Sequence, residues 1–334
     1  MQLDLDVVAT RGDLVESRHR VSLAVADGSG GLRARAGDPE LVVYARSAVK
    51  PFQALPLLED GVADHFGFSP AELALCCGSH NAEERHLEAV RAILRGIGAD
   101  EEALACGPHV PLGAAAAQAL AARGEEPTRI HNNCSGKHAG MLALARFHGW
   151  PLAGYHRPEH PVQERVRAEI ARWTGLPGDE IHAGIDGCGV PTFALPLSAL
   201  AAAFARLSAA ARRGDAGPAR VVGAMVQNPE YVAGTDRLCT DLMRVAAGRI
   251  VAKVGAEGVY CAGIPGAELG LALKVEDGGG RAAEPALLAV LAALHVLADD
   301  ELAALERYAL PAIVNTRGEQ VGTIVARVEL EPAA

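Results

Sequence analysis

Ser47 and Lys50, in the run Arg46-Ser47-Ala48-Val49-Lys50-Pro51-Phe52-Gln53, form the only Ser-x-x-Lys of the 334-residue chain. On the first turn of a helix two side chains three apart share a face, where the amine can take the hydroxyl proton and leave a nucleophile. In a chain of this length such a four-residue pattern arises by chance roughly once. The composition adds weight: of 31 basic residues only Lys50, Lys137, Lys253 and Lys274 are lysine, and all the others are arginine. Lysine then remains mainly where arginine cannot serve, and what arginine cannot do is lose its proton near neutral pH. Set against this, a single lysine is most often a solvated surface residue.

Three of the four lysines stand in unusual contexts: Ser47-x-x-Lys50, Cys134-Ser135-Gly136-Lys137 and Lys253-Val254-Gly255. With Ser79-His80-Asn81 between them, the first and last give the order Ser-x-x-Lys, Ser-x-Asn, Lys-x-Gly, which resembles penicillin-binding proteins and class A β-lactamases. His80 stands where an aspartate is expected and Val254 where a threonine or serine is. In this chemistry Ser47 attacks an acyl carbon, Lys50 is the base, Ser79 relays a proton to the leaving group, and backbone N–H groups hold the oxyanion. Taken alone, Ser79 reads as an ordinary serine in a turn between helices.

A second constellation joins Asn132-Asn133-Cys134-Ser135-Gly136-Lys137-His138 to Ile185-Asp186-Gly187-Cys188-Gly189. Two cysteines on separate loops can give thiolates to zinc, and the residue types favour Cys134, Cys188 and His138 as ligands, because a lysine must lose its proton to bind metal. Two buried free thiols are the competing reading. Cys76, Cys77, Cys106, Cys239 and Cys261 lie in apolar context and read as core.

The composition excludes several function classes. A net charge of −10 and a pI of about 5.7 provide no basic field for nucleic acid or an anionic membrane. Seven cysteines without a disulfide-like framework and an N-terminus without a secretion pattern point to the cytoplasm. A small molecule is the expected partner.

Strand-like runs fill Val7 to Tyr44, with a hairpin turn at Asp27-Gly28-Ser29-Gly30-Gly31. Pro51 and Pro56 predict a short or kinked helix after Ser47. Ser69-Pro70-Ala71-Glu72 is a capping box for a helix ending at Gly78, and Asn81 with Glu84 suggests a second box starting a helix over 82–95. Helical patterns follow at 114–123, 138–148, 162–173, 198–213 and 236–247. Strands are expected at 250–254, 269–275 and 321–330, and helices at 285–297 and 300–308. The fold class is therefore α+β: one antiparallel sheet built from both chain ends, about 1–60 and 250–334, with a mainly helical lobe over about 61–249, together one catalytic domain.

The motifs, joined by Thr10-Arg11-Gly12, Val15-Glu16-Ser17-Arg18-His19 and Ala256-Glu257-Gly258, resemble the rhizobial-type, thermolabile class of L-asparaginases across nearly the whole chain. The resemblance implies a fold like that of serine β-lactamases and glutaminases, a homodimer, and hydrolysis of L-asparagine to L-aspartate and ammonia. It implies two serine–lysine pairs, Ser47 with Lys50 and Ser79 with Lys253. It also implies one zinc per chain on Cys134, Lys137 and Cys188, with Asp186 reached through water; the metal aids substrate affinity and is not the catalyst. That set replaces His138 by Lys137. For the free amino acid, Arg46 is the candidate for the α-carboxylate and Asp186, Glu257 or the metal cluster for the α-ammonium, while His80 and Asn81 line the pocket beside Ser79. Glu16 and His19 belong to the shared pattern without an assigned role. The alternatives are a glutaminase or another serine amidohydrolase, and a non-catalytic, zinc-stabilised amino-acid-binding protein.

Overall fold

Alternating apolar and polar residues near the N-terminus build three strands, β1 (Gln2–Arg11), β2 (Leu14–Asp27) and β3 (Leu32–Ala36). The expected turn joins the last two: the Asp27 carboxylate accepts the N–H groups of Ser29 and Gly31, and Gly30 takes φ +89. A computed structural model describes residues 2–331; Met1 and residues 332–334, the outer ends of the expected sheet, lie outside the described residues.

The remaining strands are β4 (Val42–Tyr44), β5 (Ala183–Ile185), β6 (Pro191–Pro196), β7 (Val251–Val254), β8 (Val259–Ile264), β9 (Leu269–Val275), β10 (Ala312–Val314) and β11 (Gln320–Glu331). Eight strands form one sheet in the order β10-β11-β1-β3-β2-β9-β8-β7, with β1 also pairing directly with β2. The fold is α+β, and its sheet is built from both ends of the chain. The register of β1 on β11 sets Val7 against Ala326, and that of β2 on β9 sets Ser22 against Lys274.

Strand β8 was not expected from the sequence, because Gly263 within it and the glycines at 255, 258 and 266 around it read as loop. All six of its residues are buried, so it has no polar face to reveal a two-residue period. Its Gly263 is the register partner of Gly270 on β9. A Cβ on Gly270 would fall 2.3 Å from the Ala205 nitrogen, and one on Gly263 3.2 Å from the Phe204 carbonyl oxygen. Both glycines are the condition for the helix Leu197–Arg213 to lie on the sheet.

The chain divides into two compact units, one of residues 1–48, 195–209 and 241–334, the other of residues 49–194 and 210–240. The first contains the eight-stranded sheet and the helix Gly280–Ala293, which covers it with Ala283, Ala286, Leu287, Val290 and Leu291. The second is mainly helical. Its central helix, Ser135–Phe147, is buried from Ser135 through Ala145. The helix Pro70–Cys76 carries the expected capping box, with Glu72 N–H on Ser69 Oγ at 3.3 Å and Ser69 N–H on Glu72 Oε2 at 2.8 Å. The proline prediction also holds: Lys50–Ala54 and Pro56–Glu59 are two short helices, each with proline in its first turn.

The second capping box does not form. The helix spans Glu84–Gly96 with Glu83 as N-cap, and Ala82 sits at φ +60, outside helical space. Asn81 is drawn elsewhere, its Nδ2 donating to the Thr235 carbonyl at 2.9 Å and its Oδ1 accepting from Arg237 Nη1 at 2.8 Å. The helix Ala216–Gln227 and the hairpin β5–β6 were also unanticipated. Among the described residues no helix is long and apolar enough to cross a membrane.

Candidate active site

In the helical unit the chemistry begins at Lys50, whose side chain is 1% exposed. Its amine donates to the Gly78 carbonyl at 2.5 Å, to Ser79 Oγ at 3.0 Å and to Cys134 Sγ at 3.2 Å. Gly78 O, Ser79 Oγ and Cys134 Sγ thus surround the amine on three sides.

The backbone at 78–80 is equally constrained. Ser79 N–H donates to the Val232 carbonyl at 2.8 Å and His80 N–H to that of Asn133 at 3.1 Å. A Cβ on Gly78 would lie 2.6 Å from the Tyr231 carbonyl oxygen, so only glycine fits there. Ala82 N–H donates to His80 Nδ1 at 3.1 Å, which leaves the proton on Nε2, 2.9 Å from Ser135 Oγ, and Ser135 passes its own to the Ile130 carbonyl at 2.8 Å. Burial pushes His80 well below the usual histidine range, so it is a neutral brace for this loop.

The cysteine cluster lies in the same unit. Cys134 N–H is held by Asn132 Oδ1 at 2.9 Å, and its sulfur by Asn133 Oδ1 at 3.0 Å. Cys188 rides on the turn of the β5–β6 hairpin, where Gly189 takes φ +91 and its N–H closes on the Asp186 carbonyl at 2.8 Å. Lys137 Nζ donates to Cys188 Sγ at 3.0 Å, and Asp186 Oδ2 is 3.8 Å from the same sulfur. The neighbouring Cys134 sulfur and the Lys137 ammonium pull Cys188 down to about 5, while Cys188 and burial push Cys134 up to about 12. Burial opposes charge on Lys137, but Cys188, Cys134 and Asp186 outweigh it and raise the amine. The cluster therefore pairs the Lys137 amine with Cys188 Sγ, beside a Cys134 thiol that donates to Asn133 Oδ1.

Whether these residues suit a metal is a matter of donor chemistry. Among the described residues no three His, Cys, Asp or Glu side chains form a metal-holding group. Two sulfurs and an amine do converge, and a zinc here would need Lys137 as its third ligand, as the resemblance implies. His138, the ligand favoured by residue type, turns its Nδ1 to the Tyr155 hydroxyl at 2.6 Å, and its buried Nε2 has no protein partner. All seven cysteines are buried, and among the described residues none is in a disulfide.

The sheet unit holds the other candidates. Ser47, half-buried, lies on the 3₁₀ turn Arg46–Val49, and Arg46 adopts φ +50, unusual for a residue with a side chain. Lys253 is 0% exposed on β7 and donates to the Val254 carbonyl at 2.8 Å. Gly255 brings that strand against the segment leading to Ser47, since a Cβ there would lie 2.9 Å from the Ala45 carbonyl oxygen. Glu257, at φ +57, lines a cleft of about 650 Å³ with Arg46. The cleft also contains Lys274, the one lysine without a motif, which motif reading passed over. Asn132 and Asn133, which orient Cys134, were visible only as neighbours of the cysteine.

Glu16 and His19 have local partners. Glu16 pairs with Arg11 at 2.8 Å, and His19 is held between Asp277 at 2.7 Å and Arg281 at 3.1 Å.

Fold and geometry define a class: an α+β protein whose buried lysine amine is hydrogen-bonded to a serine hydroxyl. Residues 7–326 match the L-asparaginase II family, and the chain belongs to that family. No curated protein sequence matches it. Among solved structures it is similar to Mglu in its native form, at 19% identity over 85% of this chain and 67% of that one, with a TM-score of 0.35. It is also similar to native Mglu in the presence of 4.3 M NaCl, at 19% identity over 77% of this chain and 56% of that one, with a TM-score of 0.33. Mglu in its tris and glutamate form matches at 18% identity over 86% of this chain and 59% of that one, with a TM-score of 0.34. The chain thus spans between 56% and 67% of the length of these structures.

Proposed function

We propose that this protein is an L-asparaginase of the rhizobial-type class, with the β-lactamase-like fold relationship that class implies, hydrolysing L-asparagine to L-aspartate and ammonia through a serine acyl-enzyme. The observation that carries the reading is the amine of Lys50, buried and bonded to Ser79 Oγ at 3.0 Å, in a chain of the L-asparaginase II family. A buried amine on a serine hydroxyl is the arrangement a nucleophile needs, and a plain surface cation would not require it.

Ser47 attacks the side-chain amide carbon, Lys50 takes its proton, and Ser79 with Lys253 carries a proton to the departing ammonia. Water then attacks the acyl ester, and the same bases return the proton to Ser47. Arg46 holds the α-carboxylate and Glu257 or Asp186 the α-ammonium, with His80 and Asn81 shaping the loop beside Ser79. Cys134, Lys137 and Cys188 would hold one zinc, which when bound supplies positive charge that favours substrate binding. The active form is a cytoplasmic homodimer.

The bond from Lys50 to Ser79 favours a second reading within the same chemistry, in which Ser79 is acylated. A glutaminase is the alternative in substrate, because discrimination of one methylene is worth only about 1–3 kcal/mol. The test is ammonia release from L-asparagine and from L-glutamine by wild type, Ser47→Ala and Ser79→Ala at matched zinc content, with mass spectrometry of the acylated peptide. The reading requires asparagine turnover, little glutamine turnover and an aspartyl adduct on Ser47. An adduct on Ser79 exchanges the roles of the two serines. Full activity in both variants refutes serine catalysis, and turnover of neither amide by wild type returns attention to a zinc-stabilised binding protein.

A further inference from the structure

The cleft lined by Arg46 contains a charged lining that the proposed chemistry uses only in part. Arg46 and Lys274 supply positive charge, and Asp38, Glu257 and Glu276 negative charge, with Val42 and Tyr44 as an apolar wall. Lys274 Nζ folds back onto the carbonyls of Val275 and Glu276, which leaves one of its N–H groups without a protein acceptor among the described residues. Burial pushes this amine below the usual lysine range, against the carboxylates of Glu257, Asp277 and Glu276, so it is a cation seated among anions.

The walls are built with care for a surface feature. Ser22, fully buried opposite Lys274 in the sheet, donates to Glu276 Oε1 at 3.1 Å and accepts the Asp38 N–H at 3.1 Å. Arg46 and Glu257 both stand at positive φ, +50 and +57. Such backbone is retained where the surrounding structure imposes it, commonly at binding sites. Gly278 packs against Glu257, since a Cβ there would fall 2.7 Å from Glu257 Oε2.

We propose that this cleft recognises the zwitterionic head of a free α-amino acid, with the α-carboxylate taken by Arg46 and Lys274 and the α-ammonium by Glu257 and Glu276. This deepens the asparaginase reading and rests on it; Lys274 and Glu276 enter as positioning residues for that same substrate. Alternating charge is what selects a zwitterion. A simple anion meets three carboxylates and a simple cation meets two cations, whereas an amino acid sets each of its charges against an opposite one. The volume of about 650 Å³ falls within the range of small-molecule sites and admits the ligand with part of its hydration shell. Arg46 lines the cleft and immediately precedes Ser47 in the chain, which ties the cleft to the proposed nucleophile.

The test uses the full chain, zinc-loaded, as wild type, Lys274→Met and Glu276→Gln. Steady-state kinetics on L-asparagine and on succinamate, which lacks the α-ammonium, are combined with calorimetric binding of L-aspartate and thermal unfolding. Loss of one charge-assisted hydrogen bond corresponds to roughly a tenfold change or more. Lys274→Met is expected to raise KM for asparagine and weaken aspartate binding by roughly tenfold, with kcat within about twofold and an unchanged Tm. Glu276→Gln is expected to narrow the preference for asparagine over succinamate. If wild type hydrolyses asparagine and both variants keep its KM and its preference, the inference falls and the asparaginase reading stands. The inference also falls alone if KM, kcat and Tm deteriorate together, because that marks a structural role. If wild type does not hydrolyse asparagine, both fall.

Discussion

Replacing Lys50 by methionine separates catalysis from folding. The amine donates to Gly78 O at 2.5 Å, Ser79 Oγ at 3.0 Å and Cys134 Sγ at 3.2 Å, and the side chain is 1% exposed. Hydrogen bonds of this kind contribute about 0.5–1.5 kcal/mol each net, so the three together are worth about 1.5–4.5 kcal/mol. Against this stands the cost of burying a polar amine, which methionine does not incur. Its unbranched chain fills nearly the same volume. The net loss is about 0–3 kcal/mol, a Tm lower by a few degrees in a chain of this size. Loss of the base should lower kcat by about 10²–10⁴. Lys50→Arg should be equally inactive, because a planar guanidinium does not match the three acceptors and does not give up its proton. The assay pairs ammonia release from L-asparagine with thermal unfolding, and adds methylamine to the methionine variant to restore part of the rate. A folded Lys50→Met within tenfold of wild type would refute the reasoning, as would an inactive variant unmoved by small amines and with a collapsed Tm.

Three further outcomes are expected. On the proposed zinc ligand set, Cys188→Ser should lower the metal content per chain and raise KM for asparagine about 10–100-fold with little change in kcat; an unchanged metal content would remove Cys188 from that set. Gly136→Ala should cost about 1–3 kcal/mol in urea unfolding, because its Cβ would sit 2.6 Å from Leu75 Cγ and 2.7 Å from the Leu75 carbonyl oxygen, and a neutral result would show that the helices Ser135–Phe147 and Pro70–Cys76 have room to part. Burial pushes Glu169 up, but hydrogen bonds from Arg165, Arg172 and Trp173 outweigh it and hold the carboxyl below its usual range, so its contribution is present above about pH 4 and lost as pH falls through the folded value. Glu169→Gln should therefore cost about 3 kcal/mol at pH 7 and flatten the fall in stability between about pH 5 and 3; a parallel shift at all pH values would exclude the charge as the cause.

Much of the sheet was legible because strands such as β3 alternate exposed and buried residues and its turns carry Asp-Gly signals, as at Asp27 to Gly31. Strand β8 was not, since a fully buried strand has no polar face and its glycine serves a helix contact far away in sequence. The Asn81 capping box failed for a related reason: Thr235 and Arg237, more than 150 positions away, hold both ends of the side chain. Local pattern is silent about such distant partners. At the candidate site the residue types stood out, but the arrangement did not. Spacing pairs Ser47 with Lys50, whereas the bond of Lys50 to Ser79 and its third acceptor Cys134 depend on how Gly78 and the Cys134 loop are packed.

The lysines show what composition can and cannot convey. In an arginine-rich chain a lysine marks a place where a slim amine is needed, and Lys50, Lys137 and Lys253 are each at most 4% exposed. An arginine at position 50 or 137 would bring a five-donor fork into a space with one sulfur or three close acceptors. The pressure is therefore for shape as well as for a removable proton. Lys274 extends the point to the surface, where a single amine can cap two carbonyls of its own strand and still present an N–H to the cleft. A guanidinium, whose planar donors spread in fixed directions, would keep its charge at that position but lose this division of labour. Lys274→Arg should consequently retain more aspartate affinity than Lys274→Met and less than wild type. Equal loss in the two substitutions would mean that geometry, and not charge, sets recognition there.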